Sequence, residues 1–521
     1  MKPLIALAVA ACLVSSCNLA PAYKAPSATL GVLPARYSDI QWQPAAPNWP
    51  RGPWWLIYRD PELDQLENEL LAANPDLLTA VANYDAYKDQ AMALRSYLFP
   101  FVTALGLTTP DATSMGRLPG VPLQPTYYGT NPLFAEIHYE VDLWDQIHNQ
   151  VAAGVANAQA SADMLAWTQL SLEAKLASAY LTLREIDDDV QLLVETVSAY
   201  QQYLQVVQMR TSGMIESDLP LAQARFQLEA AQAQESGIRA QRAVYEHMIA
   251  ALVGKPAPGF SIRPRVMDID VPEVPSSLPS LLLERRPDIV AAERRVAAAN
   301  AQIGVARAAF YPNISINSMF SAFSSSGLTP VAWPLSLWSM GPSVAAPIFE
   351  GGLLHAQLAQ SVARWHQAVQ AYRAVVLHAF EQVEDGLSNI KYLTQEDAQQ
   401  QAAVKDALDA QMLAYQRYAL GANNYLEVVV QQTLALGAEQ TEINIKESLL
   451  QANVNLILAL GGGWSSNQTP DRQSVLTLTA TSPDTPLPSA RAALTQVRSE
   501  GCHADKSDRA CGSFWSRFLD L

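Results

Sequence analysis

The chain has 521 residues, 49% of them hydrophobic and 16% charged, and its 50 acidic against 34 basic side chains give a formal net charge of −16. That acidity argues against a nucleic-acid-binding role, which needs a basic face, and suits either plain solubility or a pore that favours cations. Beyond the N-terminus no apolar run reaches the ~20 residues of a membrane helix, so any crossing has to be made by alternating strands closed into a barrel.

Met1-Lys2 followed by the short apolar run Leu4 to Val14 reads as a secretory signal over residues 1–16. The run ends Leu13-Val14-Ser15-Ser16-Cys17-Asn18. Small residues directly before a cysteine resemble a bacterial lipobox, which implies cleavage before Cys17, covalent lipid on Cys17 and, with Asn18 next, sorting to the outer membrane. Ordinary cleavage, leaving Cys17 a free or paired thiol, is the alternative. An N-terminal extended segment then spans residues 17–59.

The first structural repeat is expected over 60–254. Asp60-Pro61-Glu62 to Tyr97 reads as one helix, with Asp60 as cap and Pro61 in its first turn. Pro100 ends it, and Phe101 to Thr108 alternates. Thr109 to Thr130 reads as a Pro/Gly/Thr-rich loop. Leu133 to Leu143 alternates clearly, Leu133, Ala135, Ile137, Tyr139 and Val141 against Phe134, Glu136, His138, Glu140 and Asp142. Eleven residues at period two match a tilted membrane strand with lipid on one side and water on the other. From Asp145 to Met209 the period is helical, about 95 Å of helix at 1.5 Å per residue. A turn at Thr211-Ser212-Gly213 leads to a second helix from Asp218 to Val253, and a Pro-rich linker covers 255–279.

A second repeat, 280–464, follows the same plan: a helix from Ser280 to Phe310, a strand from Asn313 to Phe323, a Ser/Gly loop, and a strand from Trp338 to Ile348. Its long helix carries the stripe Leu358, Val362, Trp365, Val369, Tyr372, Val376, Phe380, Val383, Leu387; eight steps over 29 residues give a period close to 3.6. Asn74-Pro75-Asp76 and Arg286-Pro287-Asp288, Leu143-Trp144-Asp145 and Ile348-Phe349-Glu350, and Arg210…Gly213 and Arg417…Gly421 keep an offset of 205 to 212. One unit is therefore built twice. Residues 465–521 form a C-terminal tail, in which Cys502 and Cys511 are a possible disulfide in an oxidising compartment.

Four strands per chain are too few to close a barrel, and open edges are not tolerated in lipid. The predicted fold is therefore mixed: a membrane β-barrel shared between chains, twelve strands in a homotrimer, on an α-helical barrel of long antiparallel helices. Enzymatic spacings are missing: seven scattered histidines make no H-E-x-x-H, and there is no G-x-S-x-G or P-loop. Glu381…Asp385 lies beside an apolar stripe and reads as surface or packing. No catalytic residue, cofactor or resident metal is expected.

Trp54-Trp55…Tyr58…Asp60-Pro61, Glu284-Arg285-Arg286-Pro287-Asp288-Ile289, Ala308-Ala309-Phe310-Tyr311-Pro312-Asn313, Trp338-Ser339-Met340-Gly341-Pro342 and Pro347-Ile348-Phe349-Glu350-Gly351-Gly352 resemble TolC/OprM-type outer-membrane efflux lipoproteins. The resemblance implies a trimeric exit duct, lipid-anchored in the bacterial outer membrane and extending into the periplasm. Its lower end would meet a periplasmic membrane-fusion adaptor and an inner-membrane resistance-nodulation-division transporter. It implies adaptor contact at two helix-turn tips, through Arg210, Ser212, Gly213 and Ser217 in the first and Gly421 and Asn424 in the second. It implies a periplasmic gate at Arg417 and Tyr418, with a ring of Leu426 and with Glu427 or Asp218 as carboxylates. Where such proteins commonly read Leu-Asp-Ala-Gln, this chain has Val429-Val430-Gln431-Gln432, so Val430 supplies no acidic ring. Small organic toxicants and drugs are the expected cargo; metal cations or secreted proteins are the alternatives for the same fold.

Overall fold

Two short helices open the first half, α1 (Pro61–Ala73) and α2 (Pro75–Ser96), where the sequence suggested one. The break falls at Asn74, whose extended backbone (φ −65°, ψ 123°) follows from the Pro75 ring, which excludes the helical region for the residue before it. Asn74 turns the break into a cap: its Oδ1 accepts from the Leu77 amide at 2.9 Å, and its Nδ2 donates to the Leu252 carbonyl at 2.8 Å. The computed structural model describes residues 17–28, 53–106, 109–113, 126–130, 133–267, 269–272, 285–322 and 336–477. The signal segment, Cys502 and Cys511 lie outside them.

Next come the strands β1 (Phe101–Gly106), β2 (Thr109–Thr113), β3 (Thr126–Thr130) and β4 (Leu133–Val141). The stretch read as a loop from Thr109 to Thr130 thus contains a hairpin, with Thr109 opposite Thr130 and Thr113 opposite Thr126. Threonine and tyrosine suit a paired strand, and the Pro/Gly content that suggested a loop sits mostly between the two strands. The long helices α3 (Gln146–Ser212) and α4 (Asp218–Leu252) complete the half. The second half gives α5 (Pro287–Ala308), β5 (Asn313–Ala322), β6 (Ser336–Ala345), α6 (Leu353–Ala419) and α7 (Tyr425–Ala459).

The two halves are copies at the level of geometry. Helices α3 and α6 have 67 residues each, about 100 Å, and α4 and α7 have 35 each. The helix register fixes the offset at 207, which sets Asp145 opposite Gly352 rather than opposite Glu350. Arg286 repeats the role of Asn74, its Nη1 donating to the Ala459 carbonyl at 3.1 Å. Each second long helix ends on a left-handed glycine, Gly254 (φ 72°) and Gly461 (φ 88°). A Cβ at either would run into the carbonyl of Ala73 or Arg285, the residues leading into those proline-started helices.

Packing centres on α3, which lies against α2, α4, α5 and α7, while α6 packs on α5 and α7. Trp54, Tyr58, Leu63, Leu70 and Leu77 meet Leu176, Tyr180 and Leu183 of α3 in the main core. On α6 the expected stripe faces inward, with Val369, Tyr372, Val376, Val383 and Leu387 buried and Trp365 and Phe380 packed beside them.

A four-stranded antiparallel sheet has the order β1-β4-β5-β6. Its register gathers most apolar side chains on one face, while Phe101, Leu105, Phe134 and Met319 fall on the other among the polar ones. One face aligns Val102, Ile137, Ser318 and Met340, then Ala104, Ala135, Phe320 and Trp338, then Val141, Ile314 and Val344. The other aligns Thr103 with Glu136, His138 with Asn317, and Glu140, Ser315 and Ser343. On that polar face His138 Nδ1 lies 2.6 Å from Asn317 Oδ1, and the Ser315 and Ser343 hydroxyls are 2.8 Å apart. No helix among the described residues is long and apolar enough to cross a membrane.

Candidate functional site

The two helix tips are built alike. Helix α3 closes with Gly213 N–H donating to Met209 O (3.0 Å), Met214 N–H to Thr211 O (3.0 Å) and Ile215 N–H to Arg210 O (2.9 Å). Helix α6 closes with Leu420 to Gln416 (3.1 Å), Gly421 to Tyr418 (2.9 Å) and Ala422 to Arg417 (2.8 Å). In both, a left-handed residue reverses the chain and satisfies the last carbonyls. That residue is Gly421 (φ 75°) in the second tip but Met214 (φ 57°) in the first. Gly213, expected to make the first reversal, has φ −77° and corresponds to Leu420. The turns are therefore equal in length, and the first carries a methionine where the second has glycine.

Between the tips the chain ties its halves together. The Arg210 guanidinium lies 4.6 Å from the Tyr418 ring centre, and its Nη1 donates to the Tyr418 carbonyl at 2.9 Å. The Tyr418 hydroxyl donates to Glu216 Oε2 at 2.7 Å, and Arg210 Nε stands 3.9 Å from the same oxygen. Tyr418 is buried among Val207, Ala224, Tyr425 and Val428. Its ring meets Tyr425 edge-on at 5.3 Å, and one turn up Tyr203 packs on Tyr415 at 4.6 Å. Burial, reinforced by the hydrogen bond to Glu216, pushes the Tyr418 hydroxyl pKa well up. It stays a neutral donor at any physiological pH.

The sequence-predicted residues divide accordingly. Arg210, Tyr418 and Gly421 come together at this tie. Arg417, Asp218, Leu426 and Glu427 are exposed, as are Ser212, Gly213, Ser217 and Asn424. Ser212 Oγ donates back to Met209 O at 3.0 Å, and Asn424 caps α7 by accepting from the Glu427 amide at 3.2 Å. Ser217 precedes α4 without a side-chain cap. Leu426, Val430 and Leu434 form an exposed apolar stripe at four-residue spacing on α7, 52%, 45% and 57% exposed, where an acidic ring had been the usual pattern. Glu216 was missed, as was Met214; the 207 offset would have found both, by setting Glu216 against Asn423 and Met214 against Gly421. Thr211 Oγ1 and Asn423 Nδ2 are buried at the tips without a hydrogen-bond partner in the chain.

At the opposite end Cys17 is exposed, and its N–H donates to Leu143 O at 3.0 Å, just past the end of β4. Residues 17–28 are laced onto the helices from there. Asn149 Nδ2 donates to Asn18 Oδ1 (3.2 Å), Asn300 Nδ2 to Pro21 O (2.8 Å) and Arg373 Nε to Ser27 O (3.3 Å). Tyr97, Phe99, Phe101, Tyr311, Ile348 and Phe349 are exposed around the same level. The start of the tail crosses α3, with Thr469 Oγ1 donating to Asp163 Oδ1 at 2.6 Å and Gln159 Nε2 to Pro470 O at 2.9 Å.

The profile of the outer membrane efflux protein family matches residues 66–255 and 278–462. The chain belongs to that family. It is 31% identical over 484 residues, 89% of its length and 96% of the other, to the antibiotic efflux pump outer membrane protein ArpC of Pseudomonas putida. The toluene efflux pump outer membrane protein TtgC, also of Pseudomonas putida, matches to the same extent. Among solved structures, the outer-membrane channel OprN superposes with a TM-score of 0.75 at 25% identity, covering 86% of this chain and all of that one. This efflux protein is thus an outer-membrane channel component.

Proposed function

We propose that three copies of this chain form a closed duct that carries small organic molecules from a periplasmic adaptor and inner-membrane resistance-nodulation-division transporter out of the cell. The sheet carries this reading. Among the described residues its outer strands β1 and β6 pair on one side only, and β1, β4, β5 and β6 alternate in direction, so β6 of one copy would meet β1 of the next antiparallel. Repeating that contact head to tail closes a ring with no edge in lipid. Three copies give twelve strands, the apolar face toward lipid and the Glu136, His138, Glu140 and Asn317 face toward water. Lipid on Cys17 would add an anchor at the base of the sheet, where the exposed aromatic residues fit an interfacial belt.

The tips are the proposed gate and the adaptor's docking place. By the repeat, Arg210 holding the Tyr418 carbonyl within a chain supports Arg417 of one copy holding the Thr211 carbonyl of the next. The inner narrowing is then apolar, a ring of Leu426 and Val430, with Asp218 and Glu427 above it. The relatives' cargoes, antibiotics and toluene, favour organic molecules over metal cations or proteins. Single-channel recording of the purified lipidated protein tests the reading. Small, cation-preferring currents are expected, and the absence of conductance in any state would reject the duct.

A further inference from the structure

A second constellation lies far from the tips, where β4 hands over to α3. His148 Nδ1 is 2.8 Å from Asp142 Oδ2 and 3.6 Å from Asp145 Oδ1. One donor atom from each of the three residues lies within 4.8 Å of the others. A tetrahedral ion with ligands at 2.0–2.1 Å spaces its donors about 3.3 Å apart, a distance the observed 2.8 and 3.6 Å bracket. An ion bound there would replace the hydrogen bond between His148 Nδ1 and Asp142 Oδ2.

Charge points the same way. The Asp142 and Asp145 side chains are only 7% and 12% exposed. Among the described residues neither pairs with a lysine or arginine; both face the titratable imidazole, and Asp142 Oδ2 also accepts from the His148 amide at 2.8 Å. The α3 N-terminus contributes roughly half a positive charge against two carboxylates, which leaves the pocket negative. Asp145 also occupies the cap position in a left-handed conformation (φ 53°) without capping the helix through its side chain. The same junction in the second half uses Gly352 (φ 91°) there, has exposed Phe349 in place of Asp142, and turns His355 onto the Phe310 ring at 5.1 Å. The fold thus makes this junction without carboxylates, and the first half keeps one in a left-handed backbone conformation that favours glycine.

We propose that Asp142, Asp145 and His148 form a resident divalent-metal site, with Zn2+ the best-matched ion, that clamps the end of the membrane strand to the long helix beside the Cys17 attachment point. One imidazole and two carboxylates suit Zn2+ better than Ca2+ or Mg2+, which take mostly oxygen ligands in larger number. Binding uses the Nδ1 lone pair, so the imidazole proton resides on Nε2. Three protein donors leave the fourth position to water.

The test is calorimetric titration of ZnCl2 into the full-length lipidated protein in detergent, with the tail thiols alkylated so that Cys502 and Cys511 cannot compete. One Zn2+ per chain is expected, with at least a tenfold loss of affinity in Asp145→Gly and in His148→Ala. Asp145→Gly suits its left-handed backbone, so weakened binding there cannot be put down to misfolding. Zn2+ should also raise the unfolding midpoint of the wild type but not of Asp145→Gly. No uptake by the wild type, or uptake that both variants retain at full affinity, overturns the site.

Discussion

Tyr418→Phe isolates the tie between the tips. The substitution keeps the buried ring, its contact with Tyr425 and the Arg210 guanidinium over its face, and removes only the hydroxyl that donates to Glu216 at 2.7 Å. A hydrogen bond to a charged acceptor contributes about 1.5–3 kcal/mol. Glu216 keeps Arg210 at 3.9 Å and some access to water, so the lower end applies, about 1.5 kcal/mol, or a roughly tenfold shift in an equilibrium. If opening separates the two tips, the variant's open probability in a planar bilayer rises about tenfold per tie broken, while the conductance of the open state is unchanged. Helical content and oligomeric mass should match the wild type. An unchanged open probability in a variant that passes both controls would refute the assignment of this contact to the closed state.

Arg417→Ala removes the proposed tie between copies and should raise passive antibiotic entry and channel opening; unaltered entry and conductance would remove Arg417 from the gate. Met214→Gly relieves a left-handed methionine at the first tip, a gain of about 1 kcal/mol, read as roughly fivefold slower amide exchange across residues 213–216; faster exchange would contradict the strain argument. Asp163, buried where the tail crosses α3, has its carboxyl pKa pushed up by burial from the usual 3.8 to about 7. Its folded pKa exceeds the unfolded one, so its contribution is complete below about 3.8 and is lost as pH rises through 7. Thermal unfolding between pH 5 and 8 should therefore fall less steeply in Asp163→Asn than in the wild type, and equal slopes would contradict the account. Cys17→Ser should shift protein from the outer-membrane fraction toward the soluble periplasm if lipid adds to anchoring, and identical fractionation would argue against it.

The long helices and the main strands were legible because their periods, 3.6 and 2, run for many residues and are set by local chemistry. The break at Asn74 was harder, since Asp60-Pro61 and Asn74-Pro75 are both helix starts and the second lies inside an otherwise helical pattern. The β2–β3 hairpin was hidden by the Pro/Gly content of the stretch that joins its strands. At the tips, Arg210 and Tyr418 could be named from their motifs, but not that they belong to one contact. That contact joins residues 208 apart in the chain, and only the packing of two helical hairpins brings them together. Asp142, Asp145 and His148 were passed over for a related reason: they straddle a change from strand to helix, where neither periodicity places side chains on a common face.

Cross-linking across the sheet edges tests the shared barrel most directly. Single cysteines placed in β1 (Phe101–Gly106) and in β6 (Ser336–Ala345) of a Cys17-lipidated background should form disulfides between chains, and the ladder should stop at three. Closure within one chain, a ladder ending at two, or no cross-link at any register would contradict a barrel built from three open sheets.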